Sequence, residues 1–401
     1  MSKGKIIGAI EMGTSKIVVL IGEVFRGAGM NIIGMGQTSS QGIKKGEIYD
    51  FKEANNAVHA AIMSAEKNAG VTIDKVYLSQ TGGHLKGMFN TATVNVTASS
   101  NIVSNSDIAR VANEAKSKEL PPGRLYLHHI RNGYKLDNRS MSSPLGLEGE
   151  KLTVGYWSIY GDMQKIRDHI HVINGFGLSV EDVVVSSLAS GATVVSDTEK
   201  KNGALVIDIG CGTTDYALYQ NGFVIKTGVI SVGGDHFTND LSLGLRIDCK
   251  LAESLKCKHG KAIIDADKKE KVWLMGNKSI GDKQFLKDSM YKILNARAKE
   301  LFEVIKLDIQ DIVSPQELMG GVILTGGGSL LTSIEDVGNA VLGVETRKGN
   351  AQSWVREDLR KEEYCTVLGL LHFALTGQES EPIAKKEKPR LLKKVAKIFN
   401  F

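Results

Sequence analysis

The segment Leu205 to Tyr219, Leu-Val-Ile-Asp-Ile-Gly-Cys-Gly-Thr-Thr-Asp-Tyr-Ala-Leu-Tyr, constrains this chain more than any other. An apolar run ends in Asp208, a glycine-containing turn occupies Gly210 to Thr214, and a second apolar run leaves after Asp215; the pattern is strand, tight loop, returning strand. Glycines there let backbone N–H groups approach an anion closely, Thr213 and Thr214 add hydroxyl donors, and a carboxylate at a strand end suits a hydrated hard cation. A plain acid-x-Gly turn would carry the same letters. Its force comes from a partial copy at residues 6–22, Ile-Ile-Gly-Ala-Ile-Glu-Met-Gly-Thr-Ser-Lys-Ile-Val-Val-Leu-Ile-Gly. There Glu11, Gly13, Thr14 and Ser15 answer to Asp208, Gly210, Thr213 and Thr214, the second copy having two more loop residues. Two such hairpins, one per half, predict two related domains facing each other across a phosphate site.

The 401 residues suffice for two domains with substantial cores, and 42% apolar, 24% charged residues and 44 glycines fit a turn-rich α/β protein. The formal charge of +5 belongs to the tail, where residues 385–397 hold seven Lys and Arg against Glu387 alone. Without a basic, aromatic-interleaved patch elsewhere, nucleic acid is not an expected partner. Cys211, Cys249, Cys257 and Cys365 lack CxxC spacing, so reduced thiols in a cytoplasmic protein are expected, and no zinc site. No run of 18 apolar residues and no leader-like h-region occurs, so neither a membrane span nor a signal peptide is expected.

After the first hairpin the pattern predicts a strand at 31–37, a turn region at 42–49, a helix over 50–68 and a strand at 75–79 ending at Gly82-Gly83. From about Lys86 to Val180 the texture changes to strand (88–98), helix (106–119, Ser106 as N-cap), strand (125–130), loop (142–149), strand (151–159) and helix (162–174). This reads as a small α+β unit inserted in the first half. Its paired histidines, His128-His129 and His169/His171, have no metal-ligand companions and read as surface or edge residues. Residues 183–195 are expected as a helix between the halves, followed by the second hairpin, a strand at 224–232 into Gly233-Gly234, and helices at 236–244, 250–258 and 287–310. The expected divisions are 1–85 as the first half, with 181–200 and 362–376 packing back on it, 86–180 as the insertion, 201–361 as the second half, 377–390 as a linker and 391–401 as a terminal helix.

A third glycine segment, Gly321-Val322-Ile323-Leu324-Thr325-Gly326-Gly327-Gly328-Ser329, reads as a buried strand feeding three glycines and a helix from near Ser329, whose N-terminus favours negative charge. Taken in order, hairpin, hairpin and strand-Gly-Gly-Gly resemble the actin, heat-shock chaperone and sugar-kinase superfamily of ATP-binding folds. Within it, the chain is most similar to the FtsA family of bacterial cell-division proteins. The likeness includes Ser143-Pro144-Leu145-Gly146-Leu147-Glu148-Gly149 in the inserted unit, Ala252-Glu253-x-x-Lys256 before His259-Gly260, and Leu368-Gly369-Leu370-Leu371-His372 before the tail.

The resemblance implies an α/β, actin-like two-domain ATPase fold that binds ATP and Mg2+. Glu11 and Asp208 would orient the metal ion through waters. Gly13, Thr14, Ser15 and Lys16, with Gly210, Cys211, Gly212, Thr213 and Thr214 and the nearby Gly233 and Gly234, would hold phosphates. Glu253 and Lys256 would contact the ribose, and Gly326, Gly327 and Gly328 the adenine side. Two departures stand out: Glu11 where relatives have Asp, and Ser186 where related sequences offer a water-activating Glu. A serine has no basic group to take a proton from water, so slow or absent hydrolysis is expected.

Gly377 to Pro389 is polar and reads as a flexible linker, after which Leu391, Leu392, Val395, Ile398 and Phe399 fall at helical spacing opposite Lys393, Lys394 and Lys397. That is an amphipathic basic helix for an anionic membrane surface. The family resemblance supplies the remaining partners: the tubulin-like protein FtsZ, further copies of the chain in polymers, and later division proteins, at the inner face of the cytoplasmic membrane. Arg297 falls in the region that meets the FtsZ tail in the family. A sugar-kinase-like phosphotransferase, or another actin-like scaffold such as one of pilus assembly, are the alternatives.

Overall fold

The computed structural model describes residues 4–25, 29–97, 101–264, 271–274, 283–351 and 355–376. The first half opens with β1 (Lys5–Met12), β2 (Lys16–Phe25) and β3 (Gly29–Ser39), an antiparallel meander of apolar, alternating segments. Within the expected turn region, β4 (Ile43–Lys44) and β5 (Glu47–Ile48) form a small hairpin whose tip, Lys45 and Gly46, takes φ of 51° and 73°. α1 (Phe51–Ala69) starts where the Asp50 carboxylate accepts from Glu53 N–H and stops at Gly70, φ 68°. Its buried face, Ala54, Val58, Ala61, Ile62 and Ala65, lies on β3. Gly36 permits this approach, because a Cβ there would sit 2.1 Å from the Ala61 carbonyl oxygen. Burying Val58 and Ile62 contributes about 1.5–3 kcal/mol each, more than the ~1 kcal/mol of the Asp50 cap, so packing rather than the cap holds the helix. β6 (Lys75–Gln80) then runs parallel to β1.

The inserted unit follows as β7 (Lys86–Asn95), α2 (Asn105–Lys116), β8 (Arg124–Leu136), β9 (Arg139–Met141) and β10 (Lys151–Asp162). The strands form a separate sheet, ordered β7-β10-β8-β9, with α2 packed over it. The cap of α2 is Ser104, two residues before the expected Ser106; Ser104 and Asp107 satisfy each other's backbone N–H groups in a capping box. α3 (Met163–Asn174), expected inside the insertion, joins the first half, as does β11 (Ser179–Val185), whose residues from 181 on were expected to pack there. Ile166, Ile170, Val172 and Ile173 enter its core, and β11 pairs with β6. The expected helix over 183–195 is likewise divided. Val183, Val184 and Val185 finish β11 as a β-branched, fully buried edge, and α4 (Ser186–Val194) begins only at Ser186.

α5 (Asp197–Asn202) leads into the second half: β12 (Ala204–Ile209), β13 (Thr214–Gln220), β14 (Phe223–Ile230), α6 (Gly234–Leu245), α7 (Cys249–His259), β15 (Lys271–Leu274), β16 (Lys283–Leu286), α8 (Lys287–Ile309), β17 (Val322–Thr325), α9 (Ile334–Leu342) and β18 (Thr346–Lys348). The helix expected near Ser329 is a 3-10 turn, Gly327–Leu330, and α9 starts later. The chain returns through α10 (Cys365–Thr376), which packs on α4 and β1. The two main sheets have one topology. The first is ordered β11-β6-β1-β2-β3 and the second β18-β17-β12-β13-β14, each with parallel pairs on one side of the central strand and an antiparallel meander on the other. The linker and the terminal helix expected at 377–390 and 391–401, with Leu391, Leu392, Lys393, Lys394, Val395, Lys397, Ile398 and Phe399, lie outside the described residues.

Candidate functional site

The β1–β2 and β12–β13 hairpins close with the same backbone bond. Gly13 N–H donates to Lys16 O at 3.0 Å, and Gly210 N–H to Thr213 O at 2.9 Å. Met12 pairs with Ile17 and Ile209 with Thr214, so the loops are equal in length. The expected two extra residues in the second loop are therefore absent: Thr14 corresponds to Cys211, Ser15 to Gly212, and Lys16 to Thr213. One step further, Glu11 faces Val18 while Asp208 faces Asp215. Cross-strand partners project from the same face of a sheet, so the second hairpin presents two carboxylates where the first presents one.

Both loops border one cavity of about 410 Å³, a size suited to a small-molecule ligand. Glu11, Gly13, Thr14, Ser15, Lys16, Asp208, Gly210, Cys211, Gly212, Thr213, Gly234, Glu253, Lys256, Gly326, Gly327 and Gly328 all line it. Thr214 and Gly233 do not. The Thr214 hydroxyl donates to Val232 O at 2.8 Å, and Gly233 is pressed against the second loop, where a Cβ would meet Cys211 O at 2.5 Å. Thr81, Ser186, Asp215, Glu362, Glu363 and Thr366 line the cavity without having been singled out for it, Ser186 excepted. A signal for Thr81 was present. Thr81-Gly82-Gly83 after β6 repeats the letters of Thr325-Gly326-Gly327 at the end of β17, with positive φ at Gly82 and Gly326; the registers set Leu78 beside Ile10 and Leu324 beside Ile207, so Thr81 lies two residues beyond the place that Thr325 takes.

Electrostatics define the deep end. Burial, then the neighbouring Asp208, pushes the Glu11 carboxyl up to about 8; burial raises Asp208 to about 6; burial and Asp208 raise Asp215 to about 7. Asp208 is held by the Thr366 hydroxyl at 2.7 Å. Asp215 accepts from Thr81 at 2.6 and 2.8 Å, across the two halves, and from Thr213 at 3.0 Å. The Glu11 Oε2 atom is enclosed without a partner among the described residues. Three acids repelling one another, one with an orphaned oxygen, fit a hydrated divalent cation. Among the described residues no group of three or more His, Cys, Asp or Glu is placed to hold a metal ion directly.

At the wider end Lys256 pairs with Glu253 at 2.7 Å and donates to Gly234 O and Thr238 Oγ1 at 2.8 and 2.9 Å; Thr238 in turn bonds Glu253. Gly326 has φ 81°, and a Cβ there would fall 2.3 Å from Asp208 Oδ1, so the glycine lets this turn pass the second loop. A Cβ on Gly327 would meet nothing within 4 Å, leaving its backbone open to the cavity. Ser186 begins α4 at the cavity wall and donates to Gln80 O at 3.3 Å. Arg297 lies outside the cavity, with its guanidinium committed to Asp240 at 2.5 and 3.0 Å and to Glu300 at 2.5 Å. Three of the four histidines singled out above serve structure, His129 through Nδ1 at 2.9 Å from Ser158 Oγ. His128 Nε2 accepts from Val185 N–H at 3.2 Å, and His169, expected near the surface, is buried with Nδ1 2.9 Å from Lys165 O.

Known proteins are similar to this chain in sequence and in fold. Residues 205–369 match the family model described as "Cell division protein FtsA", and residues 82–160 the model described as "SHS2 domain inserted in FTSA". Cell division protein FtsA of Neisseria meningitidis serogroup B is 31% identical over 383 residues, covering 94% of this chain and 92% of the relative. Its namesake in Bacillus subtilis is 28% identical over 376 residues, covering 93% and 84%. Among solved structures, the PilM-PilN type IV pilus biogenesis complex superposes with a TM-score of 0.61 at 15% identity, covering 92% of this chain and 98% of that one. MreB5 of Spiroplasma citri bound to ADP gives 0.55 at 15%, covering 94% and 99%. The superpositions establish an actin-like fold, and the family models and sequence matches establish that it carries an inserted SHS2 domain and that this chain belongs to the FtsA family of cell-division proteins.

Proposed function

We propose that this protein binds ATP with Mg2+ between its two halves and acts as an actin-like membrane adaptor. In this reading it tethers the tubulin-like protein FtsZ to the inner face of the cytoplasmic membrane, assembles into polymers and recruits later division proteins. The observation that carries the nucleotide part is the pair of equal loops facing each other across one cavity whose floor is Glu11, Asp208 and Asp215. When bound, the cation neutralises phosphate charge. The chain supplies the rest: the backbone of both loops and the Thr14, Ser15 and Thr213 hydroxyls for phosphate oxygens, Lys16 and Lys256 as ammonium groups, and the Gly327 backbone at the wider end. The membrane part rests on the sequence of residues 391–401 and on family membership. No helix among the described residues is long and apolar enough to cross a membrane.

Ser186 cannot take a proton from an attacking water, which supports a nucleotide-dependent conformational protein over a fast hydrolase. Two measurements test the proposal. On vesicles containing anionic lipid, the full chain should carry FtsZ polymers into the pellet, and removal of residues 391–401 should abolish this; FtsZ left in the supernatant by the intact chain rejects the adaptor reading. Phosphate release with MgATP should stay far below about 1 per second, a rate typical of working enzymes.

A further inference from the structure

Six carboxylates but only two ammonium groups line the cavity, and both ammonium groups are already paired. Lys256 and Glu253 lie three residues apart on α7, so that pair is local and moves as one unit. The other pair joins distant parts of the chain. Lys16 of the first loop reaches Glu363 Oε2 at 3.0 Å, the two side chains being 23% and 27% exposed. Its Nζ also lies 4.5 Å from the centre of the Tyr364 ring, and the Tyr364 hydroxyl donates to Gln37 at 3.1 Å, so the segment carrying Glu363 is fixed in place. Glu363 precedes α10, whose Thr366 holds Asp208 of the second loop. The start of α10 thus touches both loops, one through an ion pair and one through a hydroxyl.

An anion in the cavity therefore meets Lys16 with an anion already on it. We propose that Glu363 is an internal competitor for Lys16, occupying the ammonium that a phosphate group would take and so setting which ligands the cavity holds. Only a ligand of higher charge density than a carboxylate, such as a nucleoside polyphosphate with its cation, displaces it. Adenosine gains nothing from Lys16 and leaves the pair intact. Displacement removes the tie between the start of α10 and the first loop and leaves the Thr366–Asp208 bond to the second half. This inference rests on the nucleotide reading above and adds a residue that selects for ligand charge.

The test is equilibrium binding of MgATP, MgADP and adenosine to the full chain and to Glu363→Gln, each with and without Lys16→Ala. A half-exposed pair of this kind is worth up to about 1 kcal/mol, so Glu363→Gln should tighten MgATP about 2- to 5-fold and leave adenosine unchanged. In the Lys16→Ala background the gain should vanish, since the two effects act through one contact. MgATP affinity that is unchanged or weakened in Glu363→Gln, or a gain shared equally by adenosine, overturns the competitor role while leaving nucleotide binding intact. A wild-type chain that fails to bind MgATP overturns the nucleotide reading itself, and this inference with it.

Discussion

The two cavity loops share a backbone and divide the chemistry. Each closes with a Gly N–H to carbonyl bond over the same number of residues, so the sheets present both loops at the same height. The first loop then carries exposed Ser15, cationic Lys16 and apolar Val18; the second carries Gly212, Thr213 and Asp215 at the matching places. One loop offers an ammonium and hydroxyls, while the other offers two adjacent carboxylates. A duplicated frame has become a clamp whose first jaw sets one carboxylate beside an ammonium and whose second sets two carboxylates side by side, and the contrast can be broken one register position at a time.

The largest effect belongs to Ser15 and Gly212. A Cβ on Gly212 would fall 2.6 Å from Thr14 Oγ1 and 3.0 Å from the Lys45 backbone, because this glycine is the wedge point between the two loops and the β4–β5 tip. Thr14 Oγ1 could rotate, but the Lys45 backbone is held in a left-handed turn and cannot follow cheaply. Gly212→Val should lower unfolding stability by about 3 kcal/mol, against less than about 0.5 kcal/mol for Ser15→Val at the equivalent exposed place, measured by denaturant unfolding of the two variants side by side. Equal losses would mean that the two positions are structurally interchangeable and the clamp asymmetry is illusory.

How much of this the sequence showed depends on the range of the signal. The hairpins, α1 and the third glycine segment rest on local patterns, alternation and turn glycines, and they were legible. The loop alignment was not, because matching Thr14 and Ser15 to Thr213 and Thr214 by hydroxyl type overrode loop length, and with it the pairing of Asp208 with Asp215. Val183–Val185 is apolar at every position and fits a helix or a buried strand equally; only the partner β6 decides. Glu363 and Thr366 meet their partners Lys16 and Asp208 across more than 150 residues of sequence, through the return of α10, and nothing local to them marks a site. Thr81 is the intermediate case, announced by a Thr-Gly-Gly run like the one at Thr325 but set two residues further along in register.

The second test uses pH. Asp215, raised to about 7, and its neighbours Glu11 at about 8 and Asp208 at about 6 all stand above their unfolded values near 4. A carboxyl whose pKa is raised by folding stabilises fully below its unfolded pKa, and that contribution is lost as pH rises through the folded one. The nucleotide-free protein should therefore lose stability between about pH 5 and pH 8.5. Asp215→Asn, which gives the second loop a neutral group where the first has Val18, should raise the thermal midpoint at pH 8 by an amount worth about 1–2 kcal/mol and change it little at pH 5. A pH-independent shift would show that repulsion among the three acids is not what the second jaw stores.

The smallest effect separates Thr81 from Thr325, the threonine of the other Thr-Gly-Gly run. Thr81 donates to Asp215 across the halves, whereas Thr325 donates to Glu362 O at 2.9 Å. Loss of either hydroxyl costs about 1 kcal/mol by ordinary hydrogen-bond arithmetic, so magnitude alone cannot distinguish them. Their pH dependence can. The Glu362 carbonyl keeps a second donor, Gly326 N–H at 3.0 Å, and it does not titrate, so Thr325→Val should cost the same at every pH. The Thr81 bond lowers the Asp215 pKa, and removing it raises that pKa further, so Thr81→Val should cost more at pH 8, where the carboxylate is charged, than at pH 5. In an Asp215→Asn background the pH dependence has no source and should disappear. Melting curves of the two valine variants at both pH values decide it: a Thr81→Val penalty that stays flat with pH would make the bridge between the halves a packing contact rather than a bond to the charged jaw.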